Sequence, residues 1–256
     1  MRTCALATSF LLVSIMVAIP QLADARQFNM KTESFATYFG GSLGLSNLGD
    51  YAFGQSAGTG VSTDQSVRSN YSGELGFVFT SDHMSFRIGG EYLLGKHLVG
   101  VNGTNSSGTS YYTLDSQVTA FTPMASAEFP MWKSPSSRIQ FGGGLGYAFV
   151  YLDQTYTMTP AGTAALGVTD YVEKASTQTL AWKLFLSGET ELVDTTTITL
   201  ELGYRSVKVG ALQSSKDTDA IVGSEPKGSD LKNMDGSLRA FDLGGAYGSV
   251  LFRFYL

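Results

Sequence analysis

Downstream of Cys4 the sequence contains no cysteine. That excludes disulfides, thiolate nucleophiles and cysteine-ligated zinc from nearly the whole chain. Histidine is almost as scarce: His83 and His97 are the only two. Six prolines among 256 residues leave few places where a β-ladder must break. Charged residues make up only 15 % and the net charge is −5, with no basic run, so there is no electrostatic footprint for nucleic acid. Beyond the first 25 or so residues no stretch of about 18 apolar residues occurs, which excludes a membrane-spanning helix there.

The first residues read as a leader. Arg2 supplies the positive start, Phe10 to Ile19 an apolar run followed by Pro20, and Ala23-Asp24-Ala25 a small-x-small site that places cleavage after Ala25. The apolar run is shorter than the ~20 residues a spanning helix needs. Cleavage would remove Cys4 and one charge of each sign, leaving a single domain over 26–256.

What remains is rich in Gly (30), Phe (16) and Tyr (13), a composition suited to many short, tightly packed strands. The last stretch, Ala246 to Leu256, sets the pattern. Ala246, Gly248, Val250, Phe252, Phe254 and Leu256 are small or apolar, while Tyr247, Ser249 and Arg253 alternate with them. Period two is the signature of a strand with two different faces. The same periodicity predicts strands over about 34–45, 71–80, 84–95, 117–130, 138–152, 177–189, 195–208 and 239–256. The fourth is weakened by Pro123, which lacks a ladder donor.

The connections alternate in length. Short turns are expected at 81–83, 131–137 and 192–194, and long polar loops at 46–70, 96–116, 153–176 and 209–238. That alternation, with an even strand count, is the organisation of an antiparallel up-and-down transmembrane β-barrel of eight strands with both chain ends on the short-turn side. Structureless loops of this length would count against a compact soluble domain.

The face opposite the apolar one carries Glu74, Arg87, Glu91, Glu128, Arg138, Lys183, Glu189, Glu201, Arg205 and Arg253. Five acids meet five bases, interleaved with small residues such as Gly76, Gly89, Gly142 and Gly203. With the apolar parity outward, these ten become interior ion-pair candidates, and near-neutrality limits their desolvation cost. An eight-stranded barrel is just wide enough for side chains to fill it, so the expectation is a polar, plugged lumen. Arg253 is expected to pair with Glu201 or Glu74. Outward aromatics fall into two sets, Phe35, Phe79, Phe129, Trp132 and Phe254 toward the short turns and Tyr71, Tyr92, Tyr147, Tyr151, Trp182 and Tyr204 toward the long loops, as membrane-interface belts would.

No catalytic, cofactor or metal site is expected. The glycines at 142, 143, 144 and 146 lie inside one strand, without the strand-then-helix context of a phosphate loop. Neither histidine stands at a telling spacing from a serine and an acid. The acids Asp217, Asp219, Glu225, Asp230 and Asp235 are mixed with Lys216, Lys227 and Lys232, which reads as a solvated loop rather than a cation site.

The final strand, with aromatic Tyr255 next to last and apolar Leu256 at the end, resembles the C-terminal signal strand of small bacterial outer-membrane barrels of the OmpA-transmembrane, OmpX and OmpW group. That group usually ends in Phe or Trp. The resemblance implies an outer-membrane location and insertion by the barrel-assembly machinery through the last strand. It also implies contact with membrane lipid and lipopolysaccharide, and a non-enzymatic structural or surface role with a host or surface ligand. A narrow channel for small hydrophobic solutes is the alternative, and an outer-leaflet lipid-modifying enzyme using His97 is a third expectation.

Overall fold

The computed structural model describes residues 28–46, 61–63, 68–95 and 97–256. The expected leader over 1–25, and Cys4 with it, lies outside the described residues.

Eight strands form the wall: β1 (Phe35–Leu45), β2 (Ser69–Thr80), β3 (Ser85–Gly95), β4 (Ser110–Lys133), β5 (Ser137–Met158), β6 (Tyr171–Val193), β7 (Thr196–Val209) and β8 (Gly245–Tyr255). Each pairs antiparallel with the next, and β8 pairs with β1 from Ala36↔Tyr255 to Gly44↔Tyr247. The ring therefore closes and presents no edge, as a sheet in lipid requires. Short turns lie between β2 and β3, β4 and β5, and β6 and β7; the last bends at Asp194, whose φ is 44°.

Strand lengths are unequal. β1, β3 and β8 have 11 residues, close to the 9–11 that cross a bilayer, whereas β4, β5 and β6 have 24, 22 and 23. The wall of β4–β6 therefore continues about ten residues past the spanning height at the long-loop end. Much of what the sequence marked as loop is hydrogen-bonded wall: 110–116 belong to β4, 153–158 to β5 and 171–176 to β6. Leu98–Asn105 runs beside β4 and pairs outward with Val61–Thr63. Among the described residues only the tip between β5 and β6 turns helical, in α1 (Pro160–Leu166), started by the Thr159 hydroxyl accepting from the Gly162 amide at 3.0 Å.

The polar appearance of those segments has a physical cause. Facing does not change along β5, but the chemistry of each face does. In the lower part of β5, Ile139, Phe141, Leu145, Tyr147 and Tyr151 point out, each more than 40 % exposed, while Arg138 and Gln140 point in. Higher up, Asp153, Thr155 and Thr157 point out, and Val150, Leu152 and Tyr156 point in at 0–1 % exposure. The apolar face thus switches from outside to inside, as it must where the surroundings change from lipid to water.

The eighth strand also begins later than 239. Phe241–Asp242 pairs only with the end of β7, and the regular ladder to β1 starts after Gly245. Gly245 has φ 156°, and a Cβ there would collide with the Leu45 carbonyl.

Candidate functional site: the barrel interior and its outer mouth

Among the largest fully buried side chains the first five are arginines: Arg87, Arg138, Arg205, Arg239 and Arg253. This reverses the interior of a soluble domain, where charged groups are almost never fully buried unless paired. Every guanidinium in the group has a carboxylate.

At the short-turn end, Arg138 donates from Nε to Glu189 Oε2 at 2.7 Å, and Arg253 reaches the same oxygen at 3.0 Å. Arg253 also forks onto both oxygens of Glu128, at 2.8 and 3.0 Å. Thr197 and Tyr255 hydroxyls complete Glu189, at 2.5 and 2.8 Å. Arg87 carries the chain upward, lying 3.4 Å from Glu128 and donating twice to Glu201 at 3.0 Å. Lys183 joins Glu74 at 3.0 Å, with Tyr38 donating to that carboxylate at 2.7 Å and Tyr247 to Glu201 at 2.6 Å. Above them Arg205 pairs with Glu91 and donates to Asn70 Oδ1 at 2.7 Å, while Ser72 donates to Glu91 at 2.6 Å. All ten interior candidates thus lie inside the wall, eight in one continuous chain of ion pairs and two in a pair above it.

Aromatic rings separate the layers. The Arg87 guanidinium lies 4.9 Å from the Phe185 centroid and 5.4 Å from that of Tyr38, and Arg205 lies 5.5 Å from that of Tyr247. Each is a cation–π contact in a desolvated setting, where such contacts are strongest. Glycine makes the space. A Cβ on Gly89 would run into the Tyr38 hydroxyl, and one on Gly142 into the Phe185 ring.

Arg253 corrects one expectation. Its partners are Glu128 and Glu189, not Glu201 or Glu74. Arg253 stands opposite Thr197 on β7, whereas Glu201 stands opposite Ser249, two interior positions higher. Periodicity assigns a face but not a height; turn geometry and register fix the height.

The ionic side chains of these layers occupy only the lower part of the interior. Above Arg205 the interior is an apolar core that includes Leu93, Val118, Ala120, Val150, Leu152 and Val207. The connection between β7 and β8 folds into this mouth and adds Leu212, Leu231, Phe241 and Leu243. It is tied there by Gln213–Ser214 pairing to β6, by the Ser215 amide on the Lys174 carbonyl (2.7 Å) and by the Leu243 amide on the Val207 carbonyl (3.0 Å).

Arg239, from the same connection, reaches across to pair with Glu173 on β6 and donates to Gln154 on β5 at 3.2 Å. The sequence reading missed this pair because Glu173 fell in a segment taken as loop, and Arg239, at the expected start of the eighth strand, was not counted among the interior charges. The signal was present: Glu173 and Ala175 continue the inward parity of Ala181 and Lys183. Burial, and next the nearby Glu173 carboxylate, push the Glu225 carboxyl up to about 7.

Phe28 and Met30 tuck beneath the barrel with Ala36, Tyr38, Val78, Leu251 and Tyr255, and the Met30 amide donates to the Pro135 carbonyl at 2.9 Å.

Outside, the surface between the two aromatic sets is almost wholly apolar. Leu75, Leu145, Leu180, Leu200 and Leu202 are 58–70 % exposed. Phe79, Phe129 and Trp132 lie toward the short turns and Tyr71, Tyr92, Tyr147, Tyr151, Trp182 and Tyr204 toward the long loops. A soluble monomer does not expose a contiguous apolar girdle of this kind, and a barrel in lipid must. The fold is a membrane-spanning β-barrel. His83 and His97 are both exposed, in a short turn and beside the long-loop end.

A scan against protein-family models found no match, and a search of curated proteins found none. Among solved structures the chain is similar to the outer membrane protein OprG from Pseudomonas aeruginosa, at 11 % identity over 90 % of this chain and 99 % of that one, with a TM-score of 0.47. It is also similar to a major outer membrane protein from Thermus thermophilus, at 10 % identity, 86 % and 99 % coverage and a TM-score of 0.48. Ail, the attachment invasion locus protein of Yersinia pestis, aligns at 11 % identity over 87 % and 99 % of the two chains, with a TM-score of 0.40. At such identities and scores, no role of theirs passes to this chain.

Proposed function

We propose that this chain is a non-enzymatic barrel of a bacterial outer membrane that displays a rigid outer surface to a host or environmental ligand. The observation that carries this reading is the unequal wall: β4–β6 extend far beyond the spanning height and end in ordered tips, not in free loops. An open cleft of about 680 Å³ lies at that end, lined by Thr155, Thr157, Asp170, Tyr171, Lys216 and Asp217 among others. Acyl chains and lipopolysaccharide would lie against the apolar girdle, and β8 would be the segment offered to the barrel-assembly machinery.

The test compares adhesion of cells displaying the intact chain with that of cells displaying Lys216→Ala/Asp217→Ala/Asp219→Ala. Heat-modifiable gel migration would show that both barrels are folded. Reduced adhesion supports the reading; unchanged adhesion by a folded variant removes the cleft from it.

A second reading is supported by the apolar side chains of the upper interior, which would face a small hydrophobic solute once the last connection moves aside. Planar-bilayer recording separates the two. Silent membranes favour the display role, and discrete conductance steps, or uptake of a small alkane, favour the channel.

A further inference from the structure

The connection between β7 and β8 brings a buried charge imbalance into the outer mouth. Glu225, on the short hairpin formed by Thr218–Ala220 and Gly223–Glu225, is 5 % exposed, and neither of its carboxylate oxygens has a good hydrogen bond. One oxygen of Glu173 is also buried without a partner. The groups facing Glu225 are Glu173 from β6, Arg239 from the same connection, the Thr218 side chain on the partner strand of its hairpin and the Lys232 backbone amide, which gives slight electrostatic help. Arg239 is already engaged by Glu173, Gln154 and the Lys232 carbonyl. One guanidinium therefore stands against two carboxylates, in the segment that supplies Leu212, Leu231, Phe241 and Leu243 to the mouth.

We propose that this connection is a proton-operated stopper, seated in the mouth while Glu225 carries a proton and driven off its seat when that proton is lost. The inference stands on the seating of the loop and requires no particular external ligand. An uncompensated buried carboxylate is costly, and the loop has a route of relief because unseating returns Glu225 to water.

The direction follows from linkage. In water Glu225 titrates near its ordinary value of 4.5, and in the seat near 7, so the seated state holds the proton more tightly. Seating is at full strength below about 4.5 and weakens as pH rises through about 7. The limiting change in the seated-to-unseated ratio is roughly 300-fold, of which roughly 30-fold falls between pH 5.5 and 8.5.

Hydrogen exchange on the full chain in lipid nanodiscs reads this directly. The Ser215 amide donates to the Lys174 carbonyl of β6 at 2.7 Å and the Leu243 amide to the Val207 carbonyl of β7 at 3.0 Å; these bonds join the connection to the wall and must break on unseating. After correction for intrinsic exchange, protection of the Ser215 and Leu243 amides should fall about 30-fold from pH 5.5 to 8.5. Protection of β6 around 180–190 should stay constant. Glu225→Gln should keep the loop seated at both pH values. Protection independent of pH in the unmodified chain, or the same pH response in Glu225→Gln, would overturn the proposal. So would loss of protection at pH 5.5 on adding a chelator, which would identify a buried cation in place of the proton.

Discussion

Replacing Arg253 by Met tests whether the interior ion chain holds the barrel together. Arg253 is 0 % exposed and makes three bonds, to Glu128 and Glu189, at 2.8–3.0 Å. Methionine keeps much of the volume but removes the charge, leaving an odd carboxylate fully buried. Breaking a buried pair from one side costs about 3–5 kcal/mol, because the orphaned charge cannot return to water. Glu128→Gln alone should cost a similar amount by leaving the base in excess. The double variant Arg253→Met/Glu128→Gln restores neutrality: Glu189 keeps Arg138, and Arg87 keeps Glu201 and Glu74. Its cost should fall well below the sum of the singles, by about 2 kcal/mol or more. Urea titration of the chain folded into vesicles, followed by fluorescence of the lipid-facing Trp132 and Trp182, measures all three. A single variant costing under about 1 kcal/mol, or strict additivity in the double, would refute the view that these charges are compensated as pairs.

Two further changes probe the wall. Leu200→Arg puts a charge on the girdle at a site 58 % exposed and should cost about 2–4 kcal/mol in the same titration, whereas Thr157→Arg, outward but above the girdle, should stay within about 0.5 kcal/mol. Equal costs would mean the girdle does not end where the tyrosines mark it. Gly89→Leu should cost about 1–3 kcal/mol by overpacking and should break the bond from the Tyr38 hydroxyl to Glu74; unchanged stability would show that the Tyr38 ring can move aside freely.

The face assignment was legible because lipid leaves a strong mark: every second residue of β8 from Ala246 to Leu256 is apolar or small, and the other set holds Arg253 and Tyr247. Strand number and closure followed from counting such segments and the turns between them. The pairing partner of Arg253 was not legible, since a shift of two residues in register leaves the periodicity unchanged while moving a side chain to another layer. Nor was the upper wall. At Asp153, Thr155 and Thr157 the outward positions become polar, and a reading tuned to apolar outward positions stops there although the ladder continues to Met158. The seating of Leu212, Leu231 and Phe241 depends on contacts with distant strands, and nothing local announces them.

The two halves of the interior answer different solvents. Above the tyrosines the outside is water, so burying Val150, Leu152, Val207 and Leu231 removes apolar area from water and stabilises the fold at roughly 25 cal/mol per Å². Between the aromatic sets the outside is acyl chain. An apolar side chain gains little by moving from lipid to an apolar interior, and so an apolar core there would contribute almost no driving force. What can discriminate inside from outside at that depth is polarity: a carboxylate and a guanidinium that are intolerable against lipid become tolerable against each other. The run from Arg138 to Lys183 therefore occupies the place that a leucine core holds in a soluble protein. Substitutions should divide accordingly, with unpaired charge removal most costly below and cavity formation most costly above.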